Sequence, residues 1–392
     1  MHLALTDEQQ ALQQRLRAYF EGVMTPEIEQ EMATGEMGGE AAKVAIRQMG
    51  KDGILGLGWP VEYGGGGLGP VEQFIFYDEA QRTGAPVPML TINAVAPTIM
   101  QFGTQAQKDF FLPKILAGEI QFAIGYTEPG SGTDLASLRT KAERDGDQWL
   151  INGQKIFTSI AEHADYIWLA ARTNPDAPKH RGISIFAVPT DAPGYSRTPI
   201  RIMGDARTNA TYYDNVKVPG DALIGDVNRG WDLIVNQLNH ERVALGPPGW
   251  IERQYNGVRQ WAAETKTEDG QRVIDQDWVQ LSLARVHAKL EVLRLMNWKV
   301  AWSETAGTLN PADASATKVY GTELYTEAYQ LLLEILGPAG SLKRGSAGAA
   351  LQGSLERAYQ GTLILTFGGG TNEVQRDLIA IFGLGMPRSI ST

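Results

Sequence analysis

The sequence predicts a mainly α-helical protein with an antiparallel β domain in its middle. Three observations predict it. Apolar residues recur at helical spacing up to about Leu116; turn pairs and short β-rich runs take over between Thr140 and Pro219; and long helical periodicities return after Gly230. The expected divisions are residues 1–119 (helical), 120–226 (β) and 227–392 (a helical bundle).

Each part has its own local signals. Thr6 and Gln9 form a capping-box pattern, followed by Leu12, Leu16, Tyr19, Phe20 and Val23 at helical spacing. One glycine-rich turn, Trp59 to Gly69, interrupts this region. In the middle, Asp145-Gly146 and Asn152-Gly153 read as turns. Around them lie Trp149-Leu150-Ile151, Tyr166-Ile167-Trp168-Leu169, Ile183-Ser184-Ile185-Phe186 and Tyr212 to Val218, all strand-like. Three long helices are expected at Gly230–Glu264, Asp277–Glu304 and Pro311–Leu336. The last has Asn310 as cap, Pro311 in its first turn and Gly337-Pro338 as its stop.

Bulk properties narrow the function. At 392 residues the chain exceeds the ~250–300 residues of a single core. A net charge of -10 argues against a nucleic-acid partner. The absence of cysteine removes thiolate nucleophiles and Cys-ligated metals. The histidines His2, His163, His180, His240 and His287 are scattered, so no metal is expected. No apolar run reaches the ~20 residues of a membrane span. The first residues also lack a signal peptide's basic stretch and apolar core, so a cytoplasmic protein is expected.

Four segments carry candidate chemistry. Tyr126 to Asp134 (YTEPGSGTD) combines glycines with hydroxyls, which can hold a phosphate or a polar ring edge; the alternative is a plain loop. Asn152 to Ser159 places Phe157 before two hydroxyls, suited to a flat heterocycle, although a lone Phe is more often core. Phe367 to Arg376 (FGGGTNEVQR) exposes glycine N–H groups where a helix starts, a candidate oxyanion or phosphate site or else a simple linking turn.

The remaining segment is Gln237 to Arg242. Trp231, Ile234, Leu238, Glu241 and Leu245 are spaced 3, 4, 3 and 4, which puts Glu241 in an apolar helical stripe. Arg242 lies about 100° around the helix and need not neutralise it. Burial raises a carboxylate's pKa, as a general base working near neutral pH requires. The alternative is a Glu paired with a basic residue on another helix.

Together with Trp59-Pro60-Val61-Glu62-Tyr63-Gly64-Gly65, these segments resemble the acyl-CoA dehydrogenase family, in order and over nearly the whole chain. The resemblance implies a helical domain, a β domain and a C-terminal four-helix bundle. It implies FAD, with Tyr126, Thr127, Gly132, Thr133, Phe157, Ser159, Thr371 and Glu373 as cofactor-binding residues. Phe157 stands where the family usually has Trp, Ser159 where it usually has Thr. Most members carry the catalytic base just before the Gly-Thr pair, but here that position is Gly369. The isovaleryl-CoA branch carries it on a bundle helix before an Arg, which here is Glu241 before Arg242. The implied reaction is α,β-dehydrogenation, with Glu241 taking the α-proton and the Gly369 N–H helping to hold the thioester oxygen. Asn239 and Arg242 are the expected substrate-binding residues, and an electron-transferring flavoprotein is the expected electron acceptor.

The departures bear on assembly. Members usually lend a neighbour's flavin an Arg-x-Gln-Phe-Gly segment, a Gln and a Gly-Gly turn. Here residues 262–270 read AAETKTEDG, Glu334 replaces the Gln, and Pro338 replaces the second Gly. This pattern, with Arg207 to Tyr213 and the Leu-Asn-His-Glu-Arg run, is similar to the base-bearing subunit of heteromeric steroid side-chain dehydrogenases. A second dehydrogenase-like subunit in an α2β2 complex, and a bulky steroid side-chain CoA thioester, are therefore expected. A short- or branched-chain dehydrogenase, a non-catalytic partner subunit, and an oxygen-using flavoprotein on the same fold remain as alternatives.

Overall fold

Helix and strand signals in the sequence act locally, and most take effect where they stand. A computed structural model describes residues 4–34, 38–244 and 246–388, except the side chains of Thr34 and residues 239–244. The N-terminal helices are α1 (Asp7–Val23), α2 (Pro26–Thr34), α3 (Glu40–Lys51), α4 (Pro70–Thr83), α5 (Ala96–Phe102) and α6 (Gln105–Leu116). The strands are β1 (Phe122–Gly125), β2 (Lys141–Asp145), β3 (Gln148–Lys155), β4 (Tyr166–Arg172), β5 (Ile183–Pro189), β6 (Tyr195–Arg201), β7 (Arg207–Pro219) and β8 (Leu223–Ile224). Then come α7 (Gly230–Ala244), α8 (Gly249–Glu264), α9 (Asp277–Thr305), α10 (Pro311–Leu336), α11 (Ser354–Thr362) and α12 (Asn372–Leu378). The helical–β–helical order is as expected. No helix among the described residues is long and apolar enough to cross a membrane.

Contacts group the chain into two units: Met1–Met24, Gly69–Ala85 and Arg242–Thr392 in one, Thr25–Leu68 and Pro86–Glu241 in the other. In the first, α1 begins with the expected capping box, Thr6 Oγ1 accepting from Gln9 N (3.2 Å) and Gln9 Oε1 from Thr6 N (3.0 Å). Its core is a helical bundle. Ile251, Val258 and Ala262 of α8 meet Val279, Leu283, Val286, Leu290 and Leu293 of α9, Leu324 to Leu336 of α10, and Leu355 of α11. Asn310 caps α10, its side chain accepting from Ala312 N (2.9 Å), and Gly337 ends it.

One expected helix is two. The periodicity of Gly230–Glu264 is real, but the chain breaks between α7 and α8 at Gly246-Pro247-Pro248. A proline lacks the N–H that a helix interior needs and disfavours helical geometry in the residue before it. On α7 the buried residues are Leu233, Ile234 and Gln237, whereas Trp231 and Leu238 are half-buried, so the buried face is turned slightly from the predicted stripe. Glu241 and Leu245 of that stripe lie outside the described side chains.

The second unit holds an eight-stranded sheet in the order β6-β7-β3-β2-β4-β5-β8, with β1 against β4. Most pairs are antiparallel, but β1 and β4 run parallel and β2 meets β4 in parallel at Lys141–Arg172. Asp145-Gly146 makes the predicted turn between β2 and β3, Gly146 having φ +64°. Asn152-Gly153 does not turn the chain. It lies inside β3, where the pairing with β7 shifts register between Ile151 and Gly153. Gly153 has φ +147°, and a Cβ there would stand 2.7 Å from Thr140 Cα, so the glycine serves a bulge and a close approach.

Candidate active site

In the sheet unit, the bulge delivers the end of β3 to the Tyr126–Asp134 loop, and the two segments are tied together. Ile156 N donates to Thr127 O (2.8 Å). Lys155 Nζ donates to Tyr126 O (3.0 Å) and to Glu128 Oε1 (2.8 Å). Glu128 also accepts from the N–H groups of Arg139 (2.7 Å) and Thr140 (2.8 Å). The loop closes on itself through reciprocal Glu128–Ser131 main-chain bonds. Burial drives the Lys155 ammonium down to about 8, with Glu128 pulling the other way. Burial raises the Glu128 carboxyl, but Lys155 and the two N–H groups outweigh it and leave it lowered.

This buried scaffold presents an open aromatic. Phe157 is 56% exposed and Thr158 fully buried. Both Phe157 (φ +60°) and Ile160 (φ +58°) adopt left-handed backbone, unusual for bulky residues and held here by surrounding bonds. Thr158 N donates to Asn209 O (2.9 Å) and Asn209 Nδ2 to Thr158 O (3.3 Å). Ser159 Oγ pairs with Thr208 Oγ1 (3.3 Å), and Thr158 Oγ1 with Thr211 Oγ1 (3.4 Å). Strand β7 thus fixes the Phe157–Ser159 corner. Among the described residues, the Thr127 and Thr133 hydroxyls bond to nothing in the chain, and Gly132 and Thr133 are exposed. Tyr126 is different. It is buried, and its hydroxyl accepts from Trp168 Nε1 (3.1 Å).

In the helical unit, the glycine turn follows α11. Phe367 N and Gly368 N both close on Ile364 O, at 3.1 and 2.7 Å. The next two residues, Gly369 (φ +66°) and Gly370 (φ +95°), are left-handed, and their N–H groups donate to nothing among the described residues. Thr371 then caps α12, Oγ1 accepting from Val374 N (3.2 Å), and Glu373 is exposed in its first turn. Gln375 is fully buried, and neither side-chain amide atom has a partner among the described residues. Lys318, also fully buried, donates from Nζ to Gly370 O and Asn372 Oδ1, both at 2.8 Å.

Glu241, Arg242 and Asn239 all fall on α7, within its last six residues. Their side chains lie outside the described residues. The residues that sequence reasoning did not single out are Lys155, Asn209, Lys318 and Gln375. A lysine between Gln154 and the apolar pair Ile156-Phe157, and another in the apolar face of a long helix, were the available signals for two of them, since a buried cation needs fixed acceptors.

Comparisons with known proteins agree with this layout. Models described as the N-terminal, middle and C-terminal domains of acyl-CoA dehydrogenase match residues 6–119, 123–216 and 228–383. The acyl-CoA dehydrogenase FadE26 of Mycobacterium tuberculosis is 56% identical over 99% of this chain and 100% of its own length. FadE29 of the same organism is 49% identical over 99% of each. The crystal structure of the ChsE4-ChsE5 complex from Mycobacterium tuberculosis superposes with TM-score 0.93 at 56% identity, covering 99% of this chain and 100% of that one. "Tcur3481-Tcur3483 steroid ACAD" superposes with TM-score 0.94 at 49% identity, covering 99% and 100%. End-to-end identity of this degree, with all three domains in order, shows that the chain belongs to the acyl-CoA dehydrogenase family.

Proposed function

We propose that this chain carries out FAD-dependent α,β-dehydrogenation of a bulky acyl-CoA thioester, a steroid side chain, as the base-bearing subunit of an α2β2 complex that hands electrons to an electron-transferring flavoprotein. The observation that carries the reading is full-length likeness to chains of the ChsE4-ChsE5 and steroid ACAD structures.

The residues present fit FAD. Among the described residues, Phe157 offers an open ring face on a rigid corner, Thr127 and Thr133 offer uncommitted hydroxyls, and Gln375 holds a buried amide without a partner. Buried amides are normally bonded, so such a group suits a polar ligand edge. Tyr126, Thr127, Gly132, Thr133, Phe157, Ser159, Thr371 and Glu373 would hold the cofactor. When bound, FAD supplies acceptance of a hydride equivalent from the substrate β-carbon.

The chain's own part is proton removal. Gly369 has no side chain to act as base, so Glu241 on α7 takes the α-proton, and a positioned base contributes ~10²–10⁴-fold. The free N–H of left-handed Gly369 holds the thioester oxygen as enolate character grows. Asn239 and Arg242, on the same helix, orient the thioester.

Two features support the heteromer. The segments that family members lend to a neighbour are replaced at residues 262–270, Glu334 and Pro338. In addition, α9 leaves Trp278, Leu281, Val292, Leu295 and Trp302 exposed along one side, an apolar surface suited to another subunit.

The test is a substrate panel. Butyryl-, isovaleryl- and octanoyl-CoA and a steroid side-chain CoA thioester are compared by kcat/KM, with flavin absorbance of the purified complex recorded alongside. The steroid thioester is expected to be the best substrate. Higher kcat/KM on butyryl- or octanoyl-CoA overturns the substrate assignment, and a colourless, cofactor-free complex overturns the FAD assignment.

A further inference from the structure

Buried side chains hold two short stretches of main chain in the helical unit. One stretch, Gly246-Pro247-Pro248-Gly249, connects the helix bearing Glu241 to α8. Asn297 Nδ2 donates to Gly246 O (2.9 Å), Tyr325 Oη to Pro247 O (2.5 Å), and Asp78 Oδ1 accepts from Gly249 N (2.7 Å). The other stretch is the turn after Gly369, where Lys318 holds Gly370 O and Asn372 Oδ1. None of the four side chains is more than 4% exposed.

Lys318 and Tyr325 stand seven residues apart on α10, two turns, and so share a face. The residues between them serve the same two stretches. A Cβ on Gly321 would lie 3.5 Å from Gly246 Cα, and Thr322 Oγ1 accepts from Asn372 Nδ2 at 3.1 Å. One face of one helix therefore meets both the connector that follows the base's helix and the turn that carries the proposed enolate donor. A bundle core needs only apolar packing here, and a buried ammonium costs free energy unless its acceptors are fixed.

We infer that this face of α10 is a spacer for the reaction: Lys318 and Tyr325 are positioning residues that set the connector and the glycine turn at the separation α-proton removal requires. The inference rests on the reading of Glu241 as base and Gly369 N–H as enolate donor. Gly246 follows Glu241 by five residues in the sequence, and the base's helix α7 runs to Ala244, so the connector comes directly after the helix that carries the base. Proton transfer tolerates little displacement, since misplacement by ~1 Å can cost about 100-fold in rate.

The experiment uses the purified complex with Tyr325→Phe and Lys318→Met in this chain and a steroid side-chain CoA thioester as probe. The expected result for each is a fall in kcat of about tenfold or more, KM within about twofold of wild type, and a larger isotope effect with α-deuterated thioester. Flavin content reports whether the cofactor stays, and a thermal melt whether the fold does. If Lys318→Met fails to fold, Tyr325→Phe, which removes one oxygen, decides alone. Unchanged kcat and isotope effect in the folded variants overturn the spacer. Glu241→Gln, measured in parallel, separates the two readings: an inactive Glu241→Gln beside normal Tyr325→Phe refutes the spacer only, whereas an active Glu241→Gln refutes the base.

Discussion

Lys155 and Glu128 form an enclosed ion pair under the Thr127 turn, Nζ to Oε1 2.8 Å, with the lysine side chain at 0% and the glutamate at 8% exposure. The pair bolts the loop carrying Thr127 and Thr133 to the strand end carrying Phe157. Removing one partner of such a pair leaves the other charge buried, typically at a cost of ~3–5 kcal/mol.

Lys155→Met is therefore expected to lower the melting temperature and to lose flavin on gel filtration. Adding Glu128→Gln in the same chain removes the stranded carboxylate and should recover part of the stability. Calorimetry and the flavin-to-protein absorbance ratio measure both. A single variant as stable and as yellow as wild type would mean the pair is not the bolt described.

Glu241→Gln tests the base. The substitution keeps size and hydrogen-bonding capacity while removing the proton acceptor. The complex should keep its fold and its flavin while turnover falls by at least ~10²-fold. Stopped-flow reduction with a steroid side-chain CoA thioester is the direct measurement. Near-normal reduction in that variant sinks the assignment.

How much of this was legible beforehand follows from what acts locally. The capping box at Thr6, the Asn310 cap and the Asp145-Gly146 turn are set by residues within a few positions of one another, and each forms as expected. Asn152-Gly153 misled because the same dipeptide serves a turn or a bulge, and Thr140, twelve residues earlier, decides which. The Gly230–Glu264 periodicity predicts helix, and helix forms on both sides of Pro247-Pro248, yet periodicity alone does not register the break between them. Of the site, the segments could be named from glycines, hydroxyls and the family resemblance. The side chains that hold them could not. Lys155, Asn209 and Lys318 act through contacts 27 to 54 residues distant in sequence, which no local pattern encodes.

Asp78 gives a pH dependence with a defined sign. It is buried on α4, with Gly249 N and Glu252 facing it from α8 and Arg82 and Glu79 beside it on its own helix. Burial pushes its carboxyl up to about 6, Arg82 opposing and the neighbouring carboxylates adding. A carboxyl whose folded pKa is raised binds its proton more tightly in the folded state. Its contribution to stability is therefore full below about pH 4 and is lost as pH rises toward 6, on the order of 3 kcal/mol across the window. Asp78→Asn removes that titration. The melting temperature of the variant should rise relative to wild type between pH 4 and 6 and then level off. A difference that is flat, or that falls with pH, contradicts the assignment.

The last prediction concerns assembly. The segments proposed to hold this chain's own flavin are present in the sequence, while the segments that family members lend across subunits are altered together at 262–270, Glu334 and Pro338. Proline at 338 also removes a main-chain donor at the start of the turn after α10. In a complex of four identical chains, every flavin would lack the lent arginine, a charge-assisted bond typically worth ~1.5–3 kcal/mol. A different dehydrogenase-like chain that retains the segment could complete this chain's flavin, whereas this chain could not complete that of its partner. The exposed apolar side of α9 is where such a partner would bury Trp278, Leu281 and Trp302. Co-expression should therefore give an α2β2 complex with two flavins per four chains, read by absorbance against native mass. Expressed alone, this chain should be poorly soluble or low in flavin. A fully flavinated, active tetramer of this chain by itself refutes the heteromer.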